Sequence, residues 1–117
     1  RRGPADVTMR VLVVEDDPHL RKLTMFALGL DAELVVEVCS SGEEAIERIA
    51  AQKPDIVLLD LEMPGIGGLE TARRIAPLAV IIMSGKEKFD LGEITVRGVI
   101  KKPFDPTTLA AEVRRLA

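Results

Sequence analysis

The 117-residue chain has no tryptophan, no tyrosine, one cysteine (Cys39) and one histidine (His19). A single cysteine excludes an internal disulfide and a cysteine-rich zinc centre. A single histidine removes every mechanism that needs a histidine pair. Long apolar runs are missing too: Ile56-Val57-Leu58-Leu59 falls far below the roughly 18 residues needed to span a bilayer, so no membrane role is expected. Nor is there a positive surplus. Sixteen Lys and Arg against nineteen Asp and Glu leave a net charge of −3, which argues against nucleic-acid binding by this domain. The polar stretch Arg1–Thr8 contains Gly3-Pro4 and no apolar segment, so it is not a secretory signal and the expected home is cytoplasmic. Residues 1–8 are read as a leader or tag, and residues 9–117 as the folded domain.

What the chain does contain suits one compact core. Hydrophobic residues make up 47% and charged residues 30%, a balance that excludes disorder, and the length allows one domain. Val11-Leu12-Val13-Val14 is a short, β-branched apolar run closed by Glu15-Asp16-Asp17, the pattern of a buried strand. Asp17 before Pro18 marks a helix start, with Leu20, Leu23, Ala27 and Leu30 at helical spacing. Leu34–Cys39 reads as a second strand. Ser41 with Glu44 three positions on forms a capping box, followed by Ala45, Ile46, Ile49 and Ala50 as the apolar face.

Ile56–Leu59, closed by Asp60, is a third strand. The turn-rich stretch 62–68 leads to a short helix marked by Leu69, Ala72 and Ile75 and stopped by Pro77. Val80–Met83, closed by Ser84-Gly85, is a fourth strand. Residues 86–97 hold at most a short helix, interrupted by Gly92. Val99-Ile100 is a fifth strand, closed by Lys101-Lys102-Pro103, and Asp105-Pro106 caps a last helix with Leu109, Val113 and Leu116 facing inward. Five apolar strands alternating with helical segments imply a parallel sheet with helices on both faces.

Open parallel sheets bind ligands outside the carboxyl ends of their strands. Those ends carry Glu15-Asp16, Asp60, Ser84 and Lys102. Three carboxylates packed together repel and need a cation or protons. Oxygen-only ligation suits a hard ion, and a site with room for water and phosphate suits Mg2+. Phosphoryl transfer needs positioning and charge neutralisation, which a metal, the Lys102 ammonium and the Ser84 hydroxyl could share. An aspartate there is a plausible nucleophile. Asp60 stands alone at the end of the central strand, whereas Glu15 and Asp16 form a pair suited to holding metal, so Asp60 is the expected nucleophile. Asp17 reads as a helix cap, Cys39 as a small buried hydrophobe, Lys101 as a surface lysine and Met63 as packing at the site rim.

Four segments, Val11–Asp17, Asp55–Gly65, Ile81–Gly85 and Lys101–Phe104, occur in order and each at a strand end. With them the chain resembles a response-regulator receiver domain of bacterial two-component signalling from about Met9 to Ala117. The resemblance implies a flavodoxin-like doubly wound (βα)5 sandwich with a five-stranded parallel sheet in the order 2-1-3-4-5. It implies that Asp60 is the phosphoacceptor, that Glu15, Asp16 and Asp60 hold Mg2+ together with the backbone carbonyl of Glu62, that Ser84 is the switch hydroxyl and Lys102 the phosphate-contacting lysine, and that the bond before Pro103 is cis. The implied function is a phosphoacceptor switch rather than an enzyme. Its implied partners are a sensor histidine kinase or phosphotransfer protein, and a downstream effector or a second copy of the chain.

Two features depart from the family. Its common aromatic, three residues before the lysine, is replaced by Val99, and the stretch between Ser84 and Lys102 is short. These features favour, as the alternative, a receiver-like interaction scaffold acting without phosphorylation. A haloacid-dehalogenase-type phosphatase would need a second aspartate where Glu62 stands.

Overall fold

The computed structural model describes residues 8–117; of the leader or tag reading, residues 1–7 lie outside them. The chain runs β1 (Met9–Val14), α1 (Pro18–Gly29), β2 (Leu34–Cys39), α2 (Gly42–Ala51), β3 (Ile56–Asp60), α3 (Gly67–Ile75), β4 (Val80–Ser84), β5 (Gly98–Lys101) and α4 (Leu109–Leu116). All pairings are parallel and the strand order is β2-β1-β3-β4-β5. That is the flavodoxin-like order expected from the resemblance.

Alternation along the strands divides the core between the two faces of the sheet. Val11, Val13, Ile56, Leu58, Ile81 and Met83 pack with Ala27 and Leu28 of α1 and Leu109 and Val113 of α4. Leu12, Val14, Val57, Leu59, Val80 and Ile82 pack with Ala45 of α2 and Ala72 and Ile75 of α3. β3 is buried at every position, as befits a central strand covered on both faces. Asp60 is carried at its end into the interior of the carboxyl edge.

The (βα)5 expectation needs correction at one unit, because among the described residues no helix lies between β4 and β5. Gly92 takes a φ of 63°, and its N–H donates to Asp90 Oδ1 at 2.7 Å, closing a tight turn where a helix would have to continue. Phe89, Leu91, Ile94 and Val96 cover this part of the second face only partly. An open groove of about 810 Å3 remains beside Leu78, Ile94 and Val96, and Val99 is 45% exposed.

Three helix readings also change. In α1 the buried residues are Thr24, Ala27 and Leu28, while Leu23 and Leu30 are exposed. Thr24 tolerates burial because its hydroxyl donates to Leu20 O at 2.7 Å, which satisfies the polar group locally. In α2, Ala50 is exposed, and the capping box is displaced by one residue. Ser41 Oγ accepts from Glu44 N, but the Glu44 carboxylate returns to Ser40 N and Ser40 Oγ. At the last helix, Asp105 does not cap. It accepts from Thr107 N and Thr107 Oγ1 in its own turn, and α4 starts later, after Thr108.

Candidate functional site

The turn after β1 places the first acids. Glu15 continues the strand by donating its N–H to Cys39 O, so its side chain enters the edge of the core and is only 3% exposed. Asp17 caps α1 by accepting from His19 N at 2.9 Å and Leu20 N at 3.3 Å, which fixes where the helix begins. Those two bonds pull its own pKa down. Arg21, one turn into α1, donates through Nη1 to Glu15 O at 3.0 Å and Asp16 O at 3.3 Å. It therefore holds the backbone of the acidic turn. The sequence reading missed Arg21; the available signal was a cation one helical turn beyond a pair of acids.

Asp60, 2% exposed, accepts at Oδ1 from Lys102 Nζ at 2.9 Å and from Glu62 N at 3.1 Å. Lys102 Nζ also lies 3.6 Å from Glu15 Oε1. The Lys102-Pro103 peptide is cis, as is Ala76-Pro77. Lys101 points away, toward Glu87 at the surface. Burial works against the Lys102 charge, but the bond to Asp60 and the charges of Asp60, Glu15 and Glu62 outweigh it and hold its pKa above the ordinary value.

Ligand atoms of Glu15, Asp16 and Asp60 lie within 4.8 Å of one another. Among the described residues, Glu15 Oε1 is the buried side-chain oxygen that finds no hydrogen-bond donor. Its carboxyl is pushed up to about 8, chiefly by burial and then by the adjoining Asp60 carboxylate, despite the bond from Asp17 N. A buried, undonated carboxylate oxygen beside two further acids is the signature of a place for a hard cation, so the donor set fits Mg2+.

Ser84, 1% exposed, reaches the same edge from β4, linked to Asp60 through Glu62. Glu62 Oε2 accepts from Ser84 Oγ at 2.8 Å and Glu62 Oε1 from Gly85 N at 3.1 Å, while Ser84 Oγ accepts from Lys86 N at 3.1 Å. The structure thus brings Glu15, Asp16, Asp60, Glu62, Ser84 and Lys102 to one rim. Glu62 is expected to contribute its backbone carbonyl; its side chain is in addition engaged with Ser84. The Cys39 thiol is buried and pushed up to about 11 chiefly by burial, as expected of a small buried hydrophobe rather than a reactive thiolate.

The Glu15 environment predicts a pH effect. Below 4.5, its ordinary value, Glu15 is protonated whether the chain is folded or not; between there and about 8 only the folded chain keeps the proton. Stability of the metal-free protein from this group therefore falls as pH rises through that window. A Mg2+ ion held by this cluster would need the ionised carboxylate, so any stabilisation by added Mg2+ should be larger near pH 8 than near about pH 6. Thermal melts with and without Mg2+ at both values check this, and Asp16→Ala should abolish most of the Mg2+ response.

A doubly wound sheet with buried acids, a lysine and a hydroxyl at its carboxyl edge defines a class: a flavodoxin-like module whose chemistry sits at the strand ends. The chain belongs to the response regulator receiver domain family, whose model matches residues 11–114, and as such is a phosphoacceptor signalling module. It is 39% identical over 115 residues to the positive alginate biosynthesis regulatory protein of Pseudomonas aeruginosa, covering 92% of this chain and 46% of that protein. It is 38% identical to the transcriptional regulatory protein CseB of Streptomyces coelicolor, covering 94% of this chain and 49% of CseB. The chain thus spans about half the length of these curated relatives. Among solved structures, the signal receiver domain of the putative response regulator NarL of Mycobacterium tuberculosis superposes with a TM-score of 0.81 at 28% identity, covering 92% of this chain and 94% of that one. No helix among the described residues is long and apolar enough to cross a membrane.

Proposed function

We propose that Asp60 is the phosphoacceptor of a two-component phosphorelay, and that a sensor histidine kinase or phosphotransfer protein is the donor. An Asp60 carboxylate oxygen attacks the donor's phosphorus and the phosphorus–nitrogen bond breaks. The electron pair stays on the imidazole nitrogen, and an acyl phosphate is left on Asp60. Water attack on that phosphorus later restores the carboxylate. Lys102, already 2.9 Å from Asp60 Oδ1, stays as a point charge against the phosphoryl oxygens. Glu15, Asp16, Asp60 and the Glu62 backbone carbonyl would hold Mg2+. The bound ion supplies neutralisation of the charge on the transferring group. The domain acts as a signalling phosphoacceptor in the cytoplasm rather than as an enzyme turning over a substrate, and passes its state to a downstream effector or a second copy of the chain.

The observation that carries this reading is the meeting of three acids within 4.8 Å around a buried oxygen without a donor, faced by Lys102. The test is incubation with acetyl phosphate and Mg2+ followed by intact mass. A single phosphoryl adduct that disappears in Asp60→Asn supports the switch. No adduct with any donor supports the scaffold alternative. Turnover of a small phosphate ester would point to a phosphatase instead.

A further inference from the structure

The Glu62 side chain does something that its position in the chain does not announce. Its two carboxylate oxygens take the Ser84 hydroxyl at 2.8 Å and the Gly85 amide at 3.1 Å. Its own N–H meanwhile donates to Asp60 Oδ1. One residue is therefore bonded to the acceptor acid at its backbone and to the strand-end donors at its tip. The single proton of the Ser84 hydroxyl is committed. Its oxygen accepts from Lys86 N, which directs its proton at Glu62.

A phosphoryl group on Asp60 brings three oxygens and more negative charge to this edge, and it needs donors. The donors contributed by the end of β4 are the ones Glu62 holds, and Glu62 is itself an anion that would repel the newcomer. Carboxylate and phosphoryl group compete for the same hydroxyl and amide. The structure also gives the side chain somewhere to go: an open hollow of about 560 Å3 adjoins it, lined by Glu62 itself, Lys86, Lys88 and Phe89.

We propose that Glu62 is a positioning residue that latches the unphosphorylated domain: its carboxylate occupies the Ser84 hydroxyl and the Gly85 amide, and phosphoryl uptake at Asp60 must expel it. The inference rests on the phosphoacceptor reading. The chemistry of the latch is specific to a carboxylate, because both facing groups are donors and only a carboxylate accepts at both tips. Glutamine keeps one acceptor and turns an amide N–H toward the other donor.

The test titrates the full chain with beryllofluoride, a phosphoryl analogue, in the presence of Mg2+, following the Gly85 and Lys86 amides by NMR. Wild type, Glu62→Gln and Glu62→Ala are compared; each keeps the backbone carbonyl at position 62. Before any ligand is added, the Gly85 amide should move in both variants, because its charged acceptor is lost in Glu62→Gln and any acceptor there is lost in Glu62→Ala. Affinity for beryllofluoride should rise by about tenfold in Glu62→Ala, the scale of one charge-assisted hydrogen bond, and by about threefold in Glu62→Gln. A residue that only supports the fold would give the opposite sign, weaker binding in step with lower stability. Equal or weaker binding in the variants, with uptake by the wild type intact, overturns the latch and leaves Asp60 as the acceptor. No uptake of beryllofluoride or acetyl phosphate by the wild type overturns the phosphoacceptor reading, and the latch with it. If Glu62→Ala does not fold, the near-isosteric Glu62→Gln carries the comparison.

Discussion

Replacing Lys102 by alanine should lower the stability of the metal-free protein by about 3 kcal/mol, the low end for breaking a buried ion pair by removing one partner. The low end applies because the Lys102 side chain is 18% exposed and because burial and the adjoining Asp60 carboxylate raise the Glu15 carboxyl well above its ordinary value, which weakens its pull on the ammonium. The loss therefore falls mainly on Asp60, which is 2% exposed and would keep only the N–H of Glu62 among the donors seen at Oδ1. Arg21 cannot substitute, since its guanidinium is spent on the Glu15 and Asp16 carbonyls. Lys102→Met separates charge from packing, because it retains most of the stem; most of the destabilisation should persist in it. Mg2+ should then rescue the variant more than it stabilises the wild type, since the acids have lost their competing cation. Urea melts with and without Mg2+ decide the matter. A Lys102→Met protein as stable as wild type without metal would mean that the ammonium contributes nothing net, its desolvation cancelling its attraction.

The same residues show why some of this molecule was legible in its sequence and some was not. The strands were readable because a parallel sheet covered on both faces demands unbroken apolar runs, and Ile56–Leu59 or Val80–Met83 have no other reading. Their polar terminators were equally readable, since strand ends in this topology converge on one edge, and the structure does bring Glu15, Asp16, Asp60, Ser84 and Lys102 there. The buried face of α1 was not. Apolar spacing selected Leu23 and Leu30, but the sheet takes Thr24 and Leu28, because a threonine that returns its hydroxyl to the preceding turn packs almost as a hydrophobe. The carboxylate of Glu62 was illegible for a different reason. Its contact with Ser84 spans 22 residues and depends on how the turn after β3 aims one rotamer. No periodicity encodes that. The connection between β4 and β5 falls between these cases: its weak pattern foretold an irregular segment, and Gly92 accounts for the absence of a helix.

Gly68 was visible only as one turn residue among several, yet it should be among the least replaceable positions of the chain. It is the second residue of α3. A methyl group there would lie 2.6 Å from Asp60 O, 2.7 Å from Leu61 Cα and 2.9 Å from Leu61 O. All three are backbone atoms at the end of β3, so no rotamer change relieves the clash; either the helix moves off the sheet or the strand end shifts. Gly68→Ala should therefore cost about 3 kcal/mol, the upper range for overpacking, and lower the melting temperature by on the order of 10 °C. The comparison is Gly29→Ala at the end of α1, where an added methyl group meets nothing within 4 Å. Relief of backbone entropy there should stabilise by about 0.5–1 kcal/mol. Opposite signs for the same chemical change would tie the Gly68 cost to the backbone of Asp60 rather than to helix propensity, which favours alanine at both positions. The displacement should also reach function: Asp60 and Leu61 amides should shift in NMR spectra, and phosphoryl uptake from acetyl phosphate should slow even below the melting transition, because the acceptor is aimed by the backbone that the methyl group would push. A Gly68→Ala protein that melts and takes up phosphate like wild type would show that α3 can yield without moving the strand end, and that the close approach does not position the acid.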